Sequence, residues 1–427
     1  MAPHIIRLLE RFLGRPLCAL LTLHRRLFDT AAAQESIRTR SRRILFVKLI
    51  EQGATVLAHD AIERAAALVG RENVFFCVFA ENRPILDLMD MVPPENVLVI
   101  DGSGLRALVR DAWRVLGRAR RERIDTVVDM EFFSRASAIL AYLSGARRRV
   151  GLHRFREEGP YRGDLMTHRI AYNPFVHTAR AYSLLIDALT ADPDDVPLPK
   201  VAVGSSPTPP PRFQPSPAEI ARLRTLLDGA AGRPVHAPII VLNPNAGDML
   251  PLRRWPSSHF VELGRQLLAE YGAANLVVTG APGERAAAAE LCRSIDSPRV
   301  IDLAGRTTLR DVLVLYSIAD VLVTNDSGPG HFASLTGIDS VVLFGPGAPA
   351  QFGPIGERAH VLWAGLACSP CATVYNHRSS VCTDNVCMRA IGVDQVYVKV
   401  RDCLAARASG ISQEDWDGPS LAARAYA

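Results

Sequence analysis

Short apolar runs alternate with longer helical stretches along most of this 427-residue chain, and that alternation constrains the fold more than any other feature. A run such as 44–49, apolar except for one lysine, is typical of a strand buried on both faces of a parallel sheet. Strands that alternate with helices predict a doubly wound α/β domain. The strands predicted in the first half are 44–49, 73–79, 97–100 and 126–130, and those in the second half are 238–242, 275–279, 300–302, 321–324 and 340–344.

The alternation stops at residues 192–217, where prolines are frequent and no helical period is found. Such a composition is typical of a linker or an interdomain crossing. We therefore predict two α/β domains, each with a ligand site at the carboxyl ends of its strands. The predicted boundaries are an extension at 1–42, an amino-terminal domain at 43–195, a linker at 196–217, a carboxyl-terminal domain at 218–404 and a tail at 405–427.

The positive charge of the chain is confined to its amino-terminal extension. Nine arginines and three acidic residues give residues 1–43 a formal charge of +6, whereas the whole chain carries +5. The predicted domains are therefore nearly neutral and lack the basic surface that nucleic-acid binding requires. We expect no nucleic-acid partner.

Apolar residues in the extension recur at helical spacing between the arginines, with an interruption near Pro16. The longest uncharged apolar run, 16–23, is shorter than the roughly 18–20 residues that span a bilayer. Basic residues at 24–26 also make it a poor signal peptide. Two interpretations stay open: a helix at an anionic membrane surface, or a segment that packs on its own protein or is disordered. We expect a cytoplasmic protein, peripheral at the inner face of the cytoplasmic membrane under the first interpretation. The apolar positions are Ile5, Leu8, Leu9, Phe12, Leu13, Leu17, Leu20, Leu21, Leu27 and Phe28.

The sequence VTNDSGPGH places a polar, glycine-containing turn between a predicted strand and a predicted helix. Such a turn offers backbone N–H groups that stabilise an anionic phosphate. Ser327 and His331 add hydrogen-bond donors, and Gly328 lets the backbone approach a ligand. A plain helix N-cap would account for Asp326 or Ser327, but not for the whole cluster that begins at Asn325. We predict a phosphate site at this turn.

Two other strand ends in the second half carry turns of similar character. Asn245 follows one strand and precedes Arg253 and Arg254, whose guanidinium groups suit a diphosphate. Gly280 and Glu284 follow the next strand, where a carboxylate can contact a base or a ribose hydroxyl. The three strand ends together predict a nucleotide-diphosphate site.

In chain order, the motifs PNAG, RRWP, TGAPGE, LAGRTTL, VTNDSGPGHFAS and VVLFGP resemble those of family 9 glycosyltransferases, the group of the ADP-heptose:lipopolysaccharide heptosyltransferases. The segments ILFVKLIEQGATVL and IDTVVDMEFFSRASAILAYLSGARRRVGL agree, so that the resemblance covers residues 43–400. It implies the GT-B fold, with two Rossmann-like domains facing each other across a cleft. The donor-phosphate ligands that it implies are Asn245, Arg253, Asp326, Ser327, Gly328 and His331, with Glu284 at the nucleoside.

The resemblance also implies a reaction. A sugar such as heptose would move from a nucleotide-diphosphate donor such as ADP-heptose to a lipid-linked saccharide of lipopolysaccharide or another cell-envelope saccharide. Transfer would invert the anomeric centre by direct displacement and would need no metal ion. Two rivals stay open: an epimerase or phosphorylase of the same fold, and a catalytically silent nucleotide-sugar-binding or membrane-associated scaffold protein.

The first loop departs from the family pattern. Heptosyltransferases usually carry an aspartate directly after the glycine of this loop, as the general base, and here that position is Ala54. Inverting transfer needs a carboxylate that takes the proton of the acceptor hydroxyl. Glu51 lies in the same loop and is our first candidate, followed by Glu131 and Asp129 at the end of another strand.

Four cysteines lie close together near the end of the second domain, in the pattern Cys368-x2-Cys371-x10-Cys382-x4-Cys387. Four thiolates at such spacing complete the tetrahedron of a structural zinc site. Two disulfides or free thiols are the alternatives, and a cytoplasmic location disfavours disulfides. We predict a structural zinc ion and no catalytic cofactor.

Overall fold

Each half of the chain forms its own six-stranded sheet, and all neighbouring strands in both sheets are parallel. The α/β class predicted from the alternation is therefore confirmed. The chain divides into two compact units between Thr208 and Pro209, inside the stretch predicted as a linker. The computed structural model describes residues 10–28, 35, 37–156, 159–204, 208–247 and 250–409.

The first unit has the strand order β3-β2-β1-β4-β5-β6. Its strands are β1 (Ile44–Val47), β2 (Val74–Phe79), β3 (Val97–Ile100), β4 (Thr126–Asp129), β5 (Arg148–Leu152) and β6 (His168–Ile170). Its helices are α1 (Arg15–Phe28), α2 (Gln52–Leu57), α3 (His59–Val69), α4 (Arg83–Met89), α5 (Leu105–Arg121), α6 (Arg135–Leu143) and α7 (Thr178–Asp187). The order reverses between β1 and β4, and in such sheets ligands bind outside the carboxyl ends of the two strands that flank this switch point.

The second unit repeats the same order as β12-β11-β10-β7-β8-β9, with its switch point between β7 and β10. Its strands are β7 (Ile239–Asn243), β8 (Asn275–Val278), β9 (Val300–Asp302), β10 (Val321–Asn325), β11 (Asp339–Phe344) and β12 (Ala359–Trp363). Its helices are α8 (Pro217–Ala231), α9 (Ser257–Glu270), α10 (Arg285–Ile295), α11 (Leu309–Ile318), α12 (Gly328–Ala333), α13 (Pro349–Phe352), α14 (Val386–Arg389) and α15 (Val393–Ser409). Helix α15 runs past the predicted domain end at 404, and residues 410–427 of the predicted tail lie outside the described residues.

Strand β5 was not predicted, because it begins with two arginines that the structure buries. The Nη1 atom of Arg148 donates to Ser41 Oγ at 2.9 Å. Arg149 donates from Nε to the carbonyl of Leu165 at 2.7 Å and from Nη1 to that of Ala146 at 2.6 Å. Buried polar groups are tolerated when hydrogen bonds satisfy them, so a strand forms where the sequence shows charge.

Helix α1 packs on the first unit and keeps an apolar face exposed. Cys18 and Thr22 are buried, and Arg25 forms an ion pair with Asp164 at 3.2 Å. Pro16 lies in the first turn of α1, where proline is tolerated. A π-helical segment, Glu10–Gly14, ends directly before α1, so the helix changes geometry next to Pro16. No helix in the described ranges is both long and apolar enough to cross a bilayer. Ile5, Leu8 and Leu9 lie outside the described residues.

Candidate functional site

The turns that follow β7 and β10 are joined by one buried amide, that of Asn325. Its Nδ2 donates to the carbonyls of Pro244, at 2.8 Å, and Asn245, at 3.3 Å. Its Oδ1 accepts from the backbone N–H of Trp255 at 3.0 Å. Asn325 was predicted to touch the donor. The structure uses its side chain to hold three segments of the predicted donor site together.

Arg253 ends the short helical turn Pro251–Arg253, and Arg254 follows it in an extended conformation. Arg253 Nη2 donates to the carbonyl of Ala246 at 2.9 Å, and Arg254 Nη2 donates to that of Gly247 at 3.1 Å. The Nε atom of Arg253 is buried and has no hydrogen-bond partner among the described residues. A buried N–H that stays unpaired costs about 1–3 kcal/mol, so this atom marks a place where an external oxygen would bind favourably.

Three of the predicted donor residues meet at the end of β8. A Cβ on Gly280 would lie 2.8 Å from Asn245 Nδ2 and 3.2 Å from Glu284 Oε2, so only glycine allows this approach. Glu284 Oε2 accepts from the backbone N–H of Ala281 at 2.7 Å. The structure thus brings Asn245, Gly280 and Glu284 together, with one oxygen of Glu284 already occupied by its own turn.

The turn after β10 is not a simple helix cap. Ser327 precedes α12, yet its side chain makes no capping hydrogen bond, and its Oγ donates to the carbonyl of Asn325 at 3.2 Å. Asp326 and His331 are both largely buried in the same turn. A Cβ on Gly347 would lie 2.6 Å from Asp326 Oδ2, so the loop after β11 also closes on the turn. Ser327 is therefore not the helix N-cap that the sequence alone would also allow.

A second polar cluster occupies the switch point of the first unit. Lys48 follows β1 and is fully buried. Its Nζ lies 3.3 Å from Glu51 Oε2 and 3.2 Å from Glu131 Oε2. Glu51 adopts a left-handed backbone with a φ of 70°, which is uncommon for a residue other than glycine. Sequence reasoning missed Lys48, although a single lysine in an apolar strand run was a visible signal.

The other two predicted carboxylates are buried behind Glu51. Glu131 Oε1 accepts from the backbone N–H groups of Leu49, at 2.6 Å, and Ile50, at 3.2 Å. Asp129 accepts from the backbone N–H of Glu131 at 3.0 Å and forms an ion pair with Arg162. Burial raises the pKa of Asp129 and of Glu131, and Arg162 and Lys48 oppose the respective rises.

Glu51 is the most exposed of the three carboxylates, with 20% of its side chain open to solvent. Ala54, at the usual position of the family's aspartate, is buried in α2 and offers no acid. Asp60 accepts from Arg64 Nε at 2.7 Å and from the hydroxyl of Ser183, which makes it a structural group of α3. Of the predicted carboxylates, Glu51 is therefore the one that an acceptor hydroxyl can reach most easily from solvent.

The four clustered cysteines are free thiols near one another. Cys368 and Cys382 are exposed, whereas Cys387 is buried. Burial raises the pKa of Cys387, and the neighbouring thiols, Cys371 foremost, raise it further. In the described part of the chain, these cysteines do not bring three sulfur atoms within 4.8 Å of one another, so the zinc site stays a prediction.

Among the described residues, one group has ligand atoms that all lie within 4.8 Å of one another: Asp339, His360 and Cys403. Asp339, however, forms ion pairs with Arg358 at 3.0 Å and with Arg407 at 3.3 Å. Two guanidinium groups already neutralise this carboxylate, so the cluster is an ion-pair network rather than a metal site.

The chain is similar to known proteins of one family. The model of glycosyltransferase family 9 (heptosyltransferase) matches residues 113–380. A lipopolysaccharide heptosyltransferase 2 of Salmonella typhimurium is 32% identical over 128 residues, which are 29% of this chain and 36% of that protein. A lipooligosaccharide heptosyltransferase 2 of Haemophilus ducreyi is 26% identical over 318 residues, which are 73% of this chain and 85% of that protein.

A solved structure has the same fold. The structure of E. coli ADP-heptose lps heptosyltransferase II superposes with a TM-score of 0.63 at 20% identity, covering 86% of this chain and 99% of that one. The sequence alignment with the Salmonella protein spans only about a third of that protein's length.

Proposed function

The chain belongs to glycosyltransferase family 9 and has the GT-B fold, and on that premise we propose that it transfers a sugar from a nucleotide-diphosphate donor to a cell-envelope saccharide. The observation that carries this proposal is the convergence of strand ends around Asn325, beside the unpaired Nε of Arg253. The names of the relatives make ADP-heptose the first donor to test and a lipopolysaccharide core saccharide the first acceptor.

The donor diphosphate binds where β7 and β10 end. Arg253 and Arg254 supply positive charge to the phosphate oxygens, and Ser327 and His331 add hydrogen bonds. Asp326 binds hydroxyl groups of the sugar instead, because a carboxylate accepts hydrogen bonds from hydroxyls and repels phosphate.

The nucleoside lies nearer to β8. Asn245 and Glu284 meet beside Gly280, and the Glu284 oxygen that its own turn leaves free can accept from a ribose hydroxyl or a base amino group. The donor therefore extends along the carboxyl edge of the second sheet, from β8 at the nucleoside to β10 at the sugar.

Glu51 is the general base of the proposed reaction. Its carboxylate takes the proton of the acceptor hydroxyl while that oxygen bonds to the anomeric carbon. The bond from the anomeric carbon to the phosphate oxygen breaks in the same step, and the nucleoside diphosphate leaves with inversion. The charge that develops on the leaving diphosphate is stabilised by Arg253 and Arg254, without a metal ion.

Release of ADP from ADP-heptose, with and without a heptose-deficient lipopolysaccharide core, tests this function. We expect acceptor-dependent release that falls about 10²–10⁴-fold in Glu51→Gln, because general-base catalysis contributes that much. Glu95→Gln, at an exposed glutamate of the same unit, is the matched control and should react normally. A protein that binds ADP tightly but never releases it from the donor would be the silent binding protein instead.

The exposed face of α1 fits an anionic membrane surface. Leu20 and Leu27 in α1, and Leu13 in the π-helical segment before it, recur every seven residues and are each more than 60% exposed. Arg26 of α1 is 69% exposed. A helix that packs on its protein through one side and shows leucines and arginine on the other has the character of an interfacial helix. The structure shows that one side of α1 packs on the first unit, and we propose that the exposed side contacts the bilayer.

The cysteine segment is proposed to bind zinc and to support the donor site. Asn385, between Cys382 and Cys387, donates from Nδ2 to the carbonyl of Leu252 at 3.1 Å and to that of Arg254 at 2.9 Å. These bonds brace both sides of Arg253. A metal ion held by the four thiolates would order this segment, and its removal is expected to loosen the arginine turn.

A further inference from the structure

One ammonium group lies between two carboxylates at the switch point of the first unit. Lys48 Nζ lies 3.3 Å from Glu51 Oε2 and 3.2 Å from Glu131 Oε2. The side chains of Lys48 and Glu131 are buried, whereas that of Glu51 is partly exposed. Behind them, Asp129 is paired with Arg162. Among the described contacts, Lys48 brings a positive charge to Glu51, and Glu131, at the end of β4, brings a negative charge to the same ammonium group. Glu51 and Asp129 both act electrostatically on Glu131.

The same groups also shape the backbone of the loop. Glu131 Oε1 binds the N–H groups of Leu49 and Ile50, the two residues that precede Glu51. Glu51 itself has a left-handed backbone, a conformation that persists only when surrounding contacts hold it. Glu131 thus fixes the loop from which the Glu51 carboxylate projects.

We propose that Lys48 and Glu131 are positioning residues that aim Glu51 and set its affinity for the acceptor proton. This inference rests on the proposed function, with Glu51 as the base. Before transfer, the two carboxylates share the charge of Lys48. After transfer, Glu51 is neutral, and Lys48 and Glu131 remain as a complete ion pair, so no buried ammonium is left without a partner at any stage.

The two positioning residues act on Glu51 in opposite directions. The positive charge of Lys48 favours the ionised carboxylate, whereas the negative charge of Glu131 favours the protonated one. A base must be ionised before the reaction and still bind a proton during it, so its performance depends on the balance between these neighbours. A purely structural role would not produce opposite effects on proton affinity.

The test measures the pKa of the Glu51 carboxyl by carbon NMR of the full-length protein labelled at glutamate Cδ. The Glu51 signal is assigned as the one that is missing from the spectrum of Glu51→Gln. We expect Lys48→Met to raise this pKa and Glu131→Gln to lower it, each by about one unit or more, as is typical of charges at such distances. The acidic limb of the rate profile for ADP release should move in the same directions.

Glu131→Gln keeps an oxygen for the N–H groups of Leu49 and Ile50, so this variant retains its fold and decides the matter if Lys48→Met fails to fold. Shifts in one common direction, or no shift in Glu131→Gln, overturn the proposal. Normal turnover of Glu51→Gln with loss of turnover in Glu131→Gln also overturns it. If the NMR shifts occur as expected but no acceptor supports ADP release, the proposed function fails instead.

Discussion

Replacing Asn325 with alanine is expected to destabilise the second unit and to weaken donor binding together. The substitution removes the bonds to the carbonyls of Pro244 and Asn245 and the bond from the N–H of Trp255. A hydrogen bond contributes about 0.5–1.5 kcal/mol net, and more where a buried partner is left unpaired. The three together predict a loss of about 2–4 kcal/mol in the free energy of unfolding.

Asn275 provides a matched control in the same unit. Its Nδ2 donates to the carbonyls of His236, at 2.7 Å, and Ala273, at 3.2 Å, and its Oδ1 accepts from Arg233 Nη2 at 2.6 Å. Asn275 is equally buried but begins β8, at the amino edge of the sheet. Asn275→Ala should therefore lose a similar stability without disturbing the strand ends that form the donor site.

Urea unfolding followed by tryptophan fluorescence and calorimetric titration with ADP measure the two effects. Asn325→Ala should bind ADP at least tenfold more weakly, about 1.4 kcal/mol, whereas Asn275→Ala should bind it normally. Equal ADP affinity in the two variants would refute the role of Asn325 as organiser of the donor site. A stability loss below about 1 kcal/mol in Asn325→Ala would refute the hydrogen-bond argument itself.

The arginine turn, the exposed helix face, the cysteine segment and a buried histidine each carry a further prediction. Arg253→Ala should weaken ADP binding by about 1.5–3 kcal/mol, the value of a charge-assisted bond, and an unchanged calorimetric affinity would contradict this. The double variant Leu20→Glu/Leu27→Glu should lose sedimentation with anionic vesicles at an unchanged melting temperature; vesicle binding that persists would make the helix purely structural. Purified protein should contain one zinc per chain. The Cys371→Ser variant should lose the zinc and bind ADP more weakly, and metal-free protein that binds ADP with full affinity would refute the site. Burial lowers the pKa of His168 from 6.5 to about 3. The contribution of the neutral imidazole to the free energy of unfolding is therefore complete above pH 6.5 and decreases by up to about 1.4 kcal/mol for each unit by which the pH is lowered towards 3. Urea unfolding at pH 7 and pH 4 should show a smaller loss of stability in His168→Gln.

Strand prediction worked where burial on both faces left an apolar run. The four residues of β1 and the five of β7 are all buried, and the sequence shows these strands directly. Strands β5, β6 and β12 were not predicted: β5 begins with arginines that find buried oxygens, β6 has only three residues, two of them histidine and arginine, and β12 is only partly buried. Such strands are stabilised by partners elsewhere in the chain, which no local pattern records.

The donor turns could be located from the sequence, but the role of each residue could not. Asn325 and Asp326 are adjacent polar residues in one turn, yet the buried amide of Asn325 braces three segments whereas Asp326 lies by Gly347 of the next loop. Ser327 has the residue type of a helix cap and does not cap. Side-chain direction depends on the segments that meet at the switch point, and strand order is a tertiary property.

The sequence by itself determined the α/β class, the family, the basic and apolar character of the extension, and the polar turns where the strands end. These features depend on local composition and spacing, which the chain carries wherever it folds. Only the tertiary structure decided that β1 lies beside β4, so that Lys48 contacts both Glu51 and Glu131. The reason is physical: Glu131 lies about eighty residues from the loop that it holds, and a buried charge acquires its meaning from the partners that folding brings to it.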